Sequence, residues 1–185
     1  MIEISENQIN RVNLILGGLK NAPSRAFSGV INRALSTVRT QSGRQIRETY
    51  KIRYQDVAGS HTMKIKQAGG ANLAGEIRFA GAVIPLIKFG VNPARPQRKP
   101  VSVSVLKETT GKRLVSAYVA NLGRYGVGVF ERRTRRRDSS QQLYGPSVAH
   151  MMENESVFDK IEDAAMKVID ERVEHEISRI LNGHV

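Results

Sequence analysis

Apolar residues recur three or four positions apart over roughly the first 50 residues, which is the spacing of one face of an α-helix. Ser5 followed by Gln8 fits a capping box at the start of a first helix, where each side chain satisfies an otherwise unpaired backbone N–H. Pro23 suits the first turn of a second helix because its missing N–H would have no partner there. We therefore expect an N-terminal helical segment over residues 1–22 and a longer helix beyond it.

From about residue 61 onwards, apolar residues alternate with polar ones, as they do on half-buried antiparallel strands. Residues 63–65 and 73–79 show this alternation, and Gly69-Gly70 between them is typical of a turn. Residues 84–90 form a short apolar run whose proline favours a sheet edge or the start of a strand. Each of these three segments is predicted to be a short strand.

The clearest strand in the sequence is 101–105, where valines alternate with serines. Residues 109–112 are typical of a turn, so we expect 114–119 to return as the hairpin partner of that strand. A further strand is predicted over 125–130. By contrast, 92–100 contains three prolines and three basic residues, a composition that excludes a regular element and indicates an exposed loop.

The C-terminal part of the chain returns to helical spacing. A break at Gly145-Pro146 precedes a short helix over 148–152, and a long final helix runs to Gly183, a typical helix end. The predicted buried stripe of the final helix is Ile161, Ala165, Val168, Ile169, Val173, Ile177, Ile180 and Leu181. Helices, then strands, then helices indicate an α+β fold. In it an antiparallel sheet, or a small barrel-like sheet, is packed by the N-terminal helix pair and the long C-terminal helix.

The predicted domain organisation is simple. Residues 23–185 are expected to form a single α+β domain after the helical segment 1–22. Two basic loops near 92–100 and 132–142 are expected to be mobile. We expect them to become ordered only against partners, because they carry charge and few apolar anchors.

Charge is distributed unevenly along the chain. The 185 residues contain 29 Lys and Arg against 17 Asp and Glu, for a net charge of +12. Residues 153–185 hold nine of the acidic residues and four basic ones, a balance of −5, which leaves +17 on residues 1–152. An acidic end and a basic body allow copies of the chain to attract each other, or two partners to be bound. A solvated helix face is the simpler explanation of any single acidic residue.

The residue chemistry disfavours an enzyme. Without cysteine, the chain has no disulfide, thiol nucleophile or thiolate metal site. The four histidines lack metal-ligand spacing, and Gly111-Lys112 lacks the first glycine and the Ser or Thr of a phosphate-binding loop. We expect no catalytic residues, no metal and no cofactor. No stretch has the ~18 apolar residues of a membrane span, and the N-terminus lacks the pattern of a secretory signal.

Two basic clusters are a stronger signal than any of these motifs. They comprise Arg95, Arg98 and Lys99 in one loop and Arg132, Arg133, Arg135, Arg136 and Arg137 in the other. Guanidinium groups match phosphate oxygens in a bidentate way, so these residues could contact a DNA backbone without reading its sequence. They could also pair with acidic patches of a neighbouring protein, which is the interpretation that we favour. Aromatic residues are only 5% and no nucleic-acid-binding motif is present, which gives sequence-specific recognition little support.

Three segments, in their order and separation, resemble the minor tail protein Z family of tailed phages and prophages. They are the amphipathic basic helix beginning at 30–35, Ile84-Pro85-Leu86-Ile87-Lys88-Phe89-Gly90, and Leu143-Tyr144-Gly145-Pro146-Ser147. The second and third segments are the more specific. The long C-terminal helix also resembles that family, and the likeness covers the chain from about residue 25 to its end.

The resemblance implies a structural protein of the virion that completes the phage tail and supports head–tail joining. It implies a homo-oligomer, expected to be a ring, that contacts other tail or neck proteins at the head-proximal end of the tail. Assembly would take place in the host cytoplasm. The family has no known catalytic residues, so the resemblance implies none here. Head-to-tail ring contacts require two different complementary surfaces, and a basic lumen would suit passing genome DNA. The alternative function is that of a non-specific nucleic-acid-binding basic protein.

Within the two specific segments, the residues expected to have structural roles are Ile84, Pro85, Phe89, Gly90, Leu143, Tyr144, Gly145, Pro146 and Ser147. Pro85 is expected to begin an edge strand, and Phe89 to belong to the core. Tyr144 is left open between a core residue and an interface residue.

Overall fold

A computed structural model describes residues 3–57, 63–69, 72–97, 100–134 and 139–183, without the side chain of Arg124. In these residues the chain combines an N-terminal helix pair, a long C-terminal helix and small antiparallel sheets. The predicted α+β class is therefore confirmed. Within the described part of the chain no sheet closes into a barrel.

Five α-helices are present in the described residues. They are α1 (Glu6–Leu16), α2 (Ala22–Thr49), α3 (Tyr54–Val57), α4 (Val148–Met152) and α5 (Glu155–Leu181). Ser5 caps α1 in the predicted capping box: its hydroxyl accepts from the N–H of Gln8, whose side chain accepts from the N–H of Ser5. Pro23 lies in the first turn of α2, as its lack of an N–H favours.

The strands of the described residues form four small sheets. Strands β1 (Met63–Lys66) and β2 (Glu76–Phe79) make one pair, and β3 (Ile84–Pro85) pairs with β10 (Tyr144–Gly145). The third sheet contains β4 (Gly90–Asn92), β5 (Val101–Ser104) and β6 (Lys112–Leu114). The fourth contains β7 (Ala117–Asn121), β8 (Val127–Arg132) and β9 (Ser140–Gln142). Short 3₁₀ turns cover Leu86–Lys88 and Gly123–Tyr125.

The chain divides into two compact units. The first, the helical unit, contains Met1–Ser42, Met63–Arg78 and Glu155–Val185. Its apolar core is built by α1, α2 and α5, and its buried residues are Val12, Leu16, Ala22, Ala26, Phe27, Val30, Ala34, Ile169, Val173, Ile177 and Ile180. The predicted stripe of α5 is buried at Ile161, Ala165 and these last four positions, whereas Leu181 is 55% exposed at the end of the helix. The expectation that Leu181 is buried is wrong: Ile180 in the same turn is buried, and Leu181 lies about 100° further around the helix.

The second, the sheet unit, contains Gly43–Thr62 and Phe79–Asn154. Phe130, Val129 and Val101 are fully buried in it, as is Met151 of α4. The end of α2 joins this unit through Tyr50, which bridges to Leu106. The predicted division of the chain at residue 22 stays a prediction.

The expected hairpin between 101–105 and 114–119 is partly wrong. Strand β5 does pair with β6, with Val101 opposite Leu114, but the chain then bends at the exposed Val115. Residues 117–121 form β7 and pair with β8 over five positions. A tight turn at 122–126 brings β8 directly back along β7. The β7–β8 ladder is therefore longer than the β5–β6 ladder.

Regular pairing also reaches into both predicted loops. Asn92 ends β4, and the N–H of Gln97 donates to the carbonyl of Val119 at 3.0 Å. In the second loop, Ser140–Gln142 is the paired strand β9. Backbone hydrogen bonding can therefore form a strand in polar sequence that offers no apolar alternation. The expected mobility of the two loops stays a prediction.

Candidate functional site

The two most specific segments of the family resemblance meet in space. Strand β3 pairs with β10 so that Pro85 lies opposite Tyr144 and Ile84 opposite Gly145. Directly after it, the N–H of Leu86 donates to the carbonyl of Leu143 at 2.9 Å. Residues 84–90 and 143–147, separated by 52 residues of sequence, thus form one structural element, which we name the motif module.

Close packing explains the two glycines of the motif module. A Cβ added to Gly145 would lie 2.5 Å from Cε2 of Phe89, whose ring is buried. A Cβ added to Gly90 would lie 2.8 Å from the backbone carbonyl oxygen of Ser104 on the neighbouring strand. Both distances are well inside van der Waals contact, so a side chain at either position would force its neighbour to move.

The end of the module starts a helix and joins the fourth sheet. The hydroxyl of Ser147 accepts from the N–H of His150 and caps α4, directly after Pro146. The N–H of Leu143 donates to the carbonyl of Val129 on β8 at 2.8 Å. Tyr144 is 45% exposed, and its hydroxyl donates to Oε1 of Gln142 at 3.0 Å. The module therefore contributes a half-exposed tyrosine to the surface of the sheet.

One face of the β7–β8–β9 sheet concentrates tyrosine and arginine. The register places Tyr118 opposite Phe130, and Phe130 opposite Gln142, so these three side chains share a face. The rings of Tyr118 and Tyr125 each lie 6.3 Å, centroid to centroid, from the buried ring of Phe130. We name the surface that Tyr118, Tyr125, Arg132 and Tyr144 form around the buried Phe130 the tyrosine–arginine face.

Arg132 completes this face by a contact with an aromatic ring. Its guanidinium carbon lies 6.0 Å from the ring centroid of Tyr118, within the range of a cation–π interaction. The hydroxyl of Tyr118 is hydrogen-bonded to Ser140, which lies opposite Arg132 in the register. The tyrosine is thus held at its ring by Arg132 and at its hydroxyl by Ser140, while the arginine remains exposed.

The structure brings part of the two basic clusters to this sheet. Arg132 and Arg133 are exposed at the end of β8, and the N–H of Arg133 donates to the carbonyl of Ser139. Arg95 is exposed two residues before Gln97, which bridges to the middle of β7. The other predicted contact residues, Arg98, Lys99, Arg135, Arg136 and Arg137, lie outside the described residues.

The two units differ strongly in charge. The sheet unit contains 17 Lys and Arg against six Asp and Glu, a net charge of +11. The helical unit contains 12 Lys and Arg against 11 Asp and Glu, so it carries almost none of the net charge of the chain. The electrostatic field that attracts anions therefore originates from the sheet unit.

A second exposed surface lies on the first half of α5. Its members are Glu155, Phe158, Asp159, Glu162, Asp163 and Met166, which we name the acidic α5 face. At 3.6 residues per turn, these six positions fall within about 140° of the helix circumference. Phe158 is 42% exposed, and Met166 is also exposed. None of the four carboxylates forms an ion pair with another residue of the described chain.

Titration is perturbed at an exposed pair on β2. The hydrogen bond from Arg78 holds the pKa of Glu76 below its ordinary value, and the same bond raises the pKa of Arg78. In the part of the chain that the structure describes, no group of three or more His, Asp or Glu is placed to hold a metal ion. Among the same residues, no helix combines the length and the apolar character needed to cross a membrane.

Comparisons with protein-family models, with curated proteins and with solved structures find no match to this chain. The resemblance to the minor tail protein Z family therefore stays a prediction from the quoted segments.

The tyrosine–arginine face was not anticipated from the sequence. Its members are spread from 118 to 144, and only strand pairing places them side by side. The available signal was weak: Tyr118 lies in a segment expected to pair with 101–105, which would have placed it on a different sheet.

Proposed function

We propose that this protein is a structural component of a phage virion that completes the tail and supports head–tail joining. It would act as a subunit of an oligomeric neck or tail assembly at the head-proximal end. The observation that carries this proposal is the motif module, because it turns the two most specific segments of the resemblance into one packed element. The two segments are separated by 52 residues of sequence and pair directly in the fold.

Exposed surface chemistry agrees with a protein that works by contact. The sheet unit presents tyrosines and arginines, residue types that are enriched at protein interfaces and at their energetic centres. The first half of α5 presents carboxylates together with an exposed phenylalanine. Two chemically different surfaces on one chain are what a subunit with more than one neighbour needs.

Deletion of the gene from the phage or prophage that encodes it tests this function. Induced cells should then accumulate filled heads and tails that are not joined, visible by negative-stain electron microscopy, with infectivity restored by the gene supplied in trans. Fully joined, infectious particles in the deletion strain would reject the proposal. Neighbouring genes for head and tail proteins are a second expectation, which the genome sequence around this gene checks directly.

Non-specific nucleic-acid binding is the second candidate function. It is favoured by the concentration of +11 charges in the sheet unit and by the exposure of Arg95, Arg132 and Arg133. In a filter-binding titration, replacement of the five arginines between 132 and 137 by alanine should weaken DNA binding and flatten its salt dependence. Removal of three cations from α5, by Lys160→Ala, Lys167→Ala and Arg172→Ala, is the control and should change binding little. Equal affinity of the five-arginine variant and the unaltered protein would count against this function.

A further inference from the structure

The tyrosine–arginine face is an exposed surface without a described occupant. Tyr125 and Tyr144 are each 45% exposed, and Arg132 is exposed over the ring of Tyr118. Leu122, at the tight turn that carries Tyr125, is exposed as well. Rigid aromatic rings with an adjacent arginine form the type of surface that protein partners use as an anchor.

The acidic α5 face has the complementary chemistry on the same chain. Its carboxylates are Glu155, Asp159, Glu162 and Asp163, and they surround a stripe in which Phe158, Glu162 and Met166 follow each other at intervals of four. Phenylalanine and methionine can pack against tyrosine rings while the flanking carboxylates reach the arginines. The face therefore matches both the apolar and the cationic part of the tyrosine–arginine face.

We propose that the tyrosine–arginine face of one subunit binds the acidic α5 face of a second copy of this chain. The choice of a second copy follows from this complementarity: a basic unit of net charge +11 and an acidic, partly apolar helix face are present at equal numbers in every copy. Like faces repel, because each carries a single sign of charge. Each contact then joins two unlike faces, so a series of such contacts runs head to tail.

Head-to-tail contact leaves one free face of each kind on any open assembly. Growth stops only when the last subunit closes onto the first, which produces a ring, and otherwise it continues as a filament. The inference rests on the proposed function for its biological role, which it deepens by assigning the surfaces that join the subunits. Its test uses the purified chain, so that the two ideas can fail separately.

The test uses two neutralised variants of the full chain, each with one face altered. The acid-less variant carries Asp159→Asn, Glu162→Gln and Asp163→Asn. The arginine-less variant carries Arg132→Gln in the tyrosine–arginine face and Arg133→Gln at the exposed residue directly after it. Controls of matched charge are Glu3→Gln, Glu108→Gln and Glu171→Gln for the first, and Lys112→Gln with Arg113→Gln for the second. All of these control positions are exposed and lie outside the two faces.

Association of the nuclease-treated protein is measured by sedimentation and light scattering. The unaltered chain and both controls should form oligomers, and each face variant alone should associate at least about tenfold more weakly. Raising the salt from about 50 to about 500 mM should weaken the association of the unaltered chain. Far-UV circular dichroism of each variant checks that the fold is retained.

The decisive measurement is a mixture of the two face variants. In this mixture, the tyrosine–arginine face of the acid-less variant can bind the acidic α5 face of the arginine-less variant. The other two faces, the α5 face of the acid-less variant and the tyrosine–arginine face of the arginine-less variant, are the altered ones. The mixture should therefore form a 1:1 dimer that does not grow further. A monomeric unaltered chain, face variants that still form full oligomers, controls as weak as the face variants, or a mixture without dimers would each overturn the proposal. So would oligomers that disappear when nucleic acid is removed, since DNA would then be the occupant. None of these outcomes bears on whether a deletion strain joins heads to tails, so the proposed function is tested apart.

Discussion

Replacing Gly145 by alanine should destabilise the sheet unit through its contact with Phe89. The new Cβ would lie 2.5 Å from Cε2, 3.0 Å from Cζ and 3.1 Å from Cδ2 of the ring. Carbon atoms in contact prefer about 3.5–4.0 Å, so the ring must retreat by about 1 Å. Phe89 is only 6% exposed and has no open solvent to move into. Overpacking of this kind costs about 1–3 kcal/mol.

An opposing contribution reduces the expected net effect. Alanine restricts the unfolded chain more than glycine does, which stabilises the folded protein by about 0.4–1 kcal/mol where the backbone conformation is compatible. We therefore expect a net loss of about 1–2 kcal/mol in the free energy of unfolding, or roughly a factor of 10 in the folded-to-unfolded ratio. The control is Gly69→Ala, because a Cβ at Gly69 would meet no atom within 4 Å. Gly69 lies in the helical unit, so the unfolding of this variant is followed by far-UV circular dichroism. Its stability should stay within about 0.5 kcal/mol of the unaltered protein.

Tyrosine fluorescence during urea unfolding is the appropriate assay. The chain has no tryptophan, and its five tyrosines all lie in the sheet unit, so this signal reports on the unit that contains the substitution. A second variant, Phe89→Leu, removes the ring edge that the new methyl group meets. The double variant should be more stable than the sum of the two single effects by about 0.5–3 kcal/mol. Unchanged stability of the alanine variant, or strictly additive effects, would refute the packing argument.

Three further predictions concern the helical unit. Ser5→Ala removes the capping box of α1 and should lower the free energy of unfolding by about 1 kcal/mol in a urea titration followed by circular dichroism; an unchanged midpoint would mean that the cap has no effect. Asn32→Ala should cost about 1–3 kcal/mol in the same assay, since the Asn32 amide bonds both the N–H and the carbonyl of the buried Ala68; a loss no larger than that of an exposed-site alanine would contradict this. For Glu76, an NMR titration should give a pKa below that of an ordinary glutamate, and Arg78→Ala should restore it. Because folding lowers this pKa, the small stabilisation by the pair is present above the ordinary carboxyl pKa and is lost as the pH falls through the folded value; the same pKa in both proteins would disprove the coupling.

The helices were largely predictable because their signals are local. The cap at Ser5, the proline in the first turn of α2 and the buried stripe from Ile161 to Ile180 all depend on residues within a few turns of one another. The short helix α3 was missed, since its four residues are too few to show a period. Local information therefore determines most of the helical unit.

Strand partners were less predictable because pairing is decided by competition between distant segments. Residues 117–121 could have paired with 101–105 on the strength of their alternation, but β8 offers them five paired positions after a tight turn. The pairing of β3 with β10 involves two strands of two residues each, whose pattern is too short to indicate a partner. The candidate surface was hidden for the same reason, since Tyr118, Phe130 and Tyr144 become neighbours only once these pairs exist.

The two segments of the motif module are synthesised at different times. Residue 89 leaves the ribosome well before residue 145, and at about 5–20 residues per second the delay is on the order of 3–10 seconds. During that interval the benzyl group of Phe89 has no glycine to pack against, and a truncated polypeptide never acquires one. Completion of this small element therefore has to wait until translation has passed residue 145.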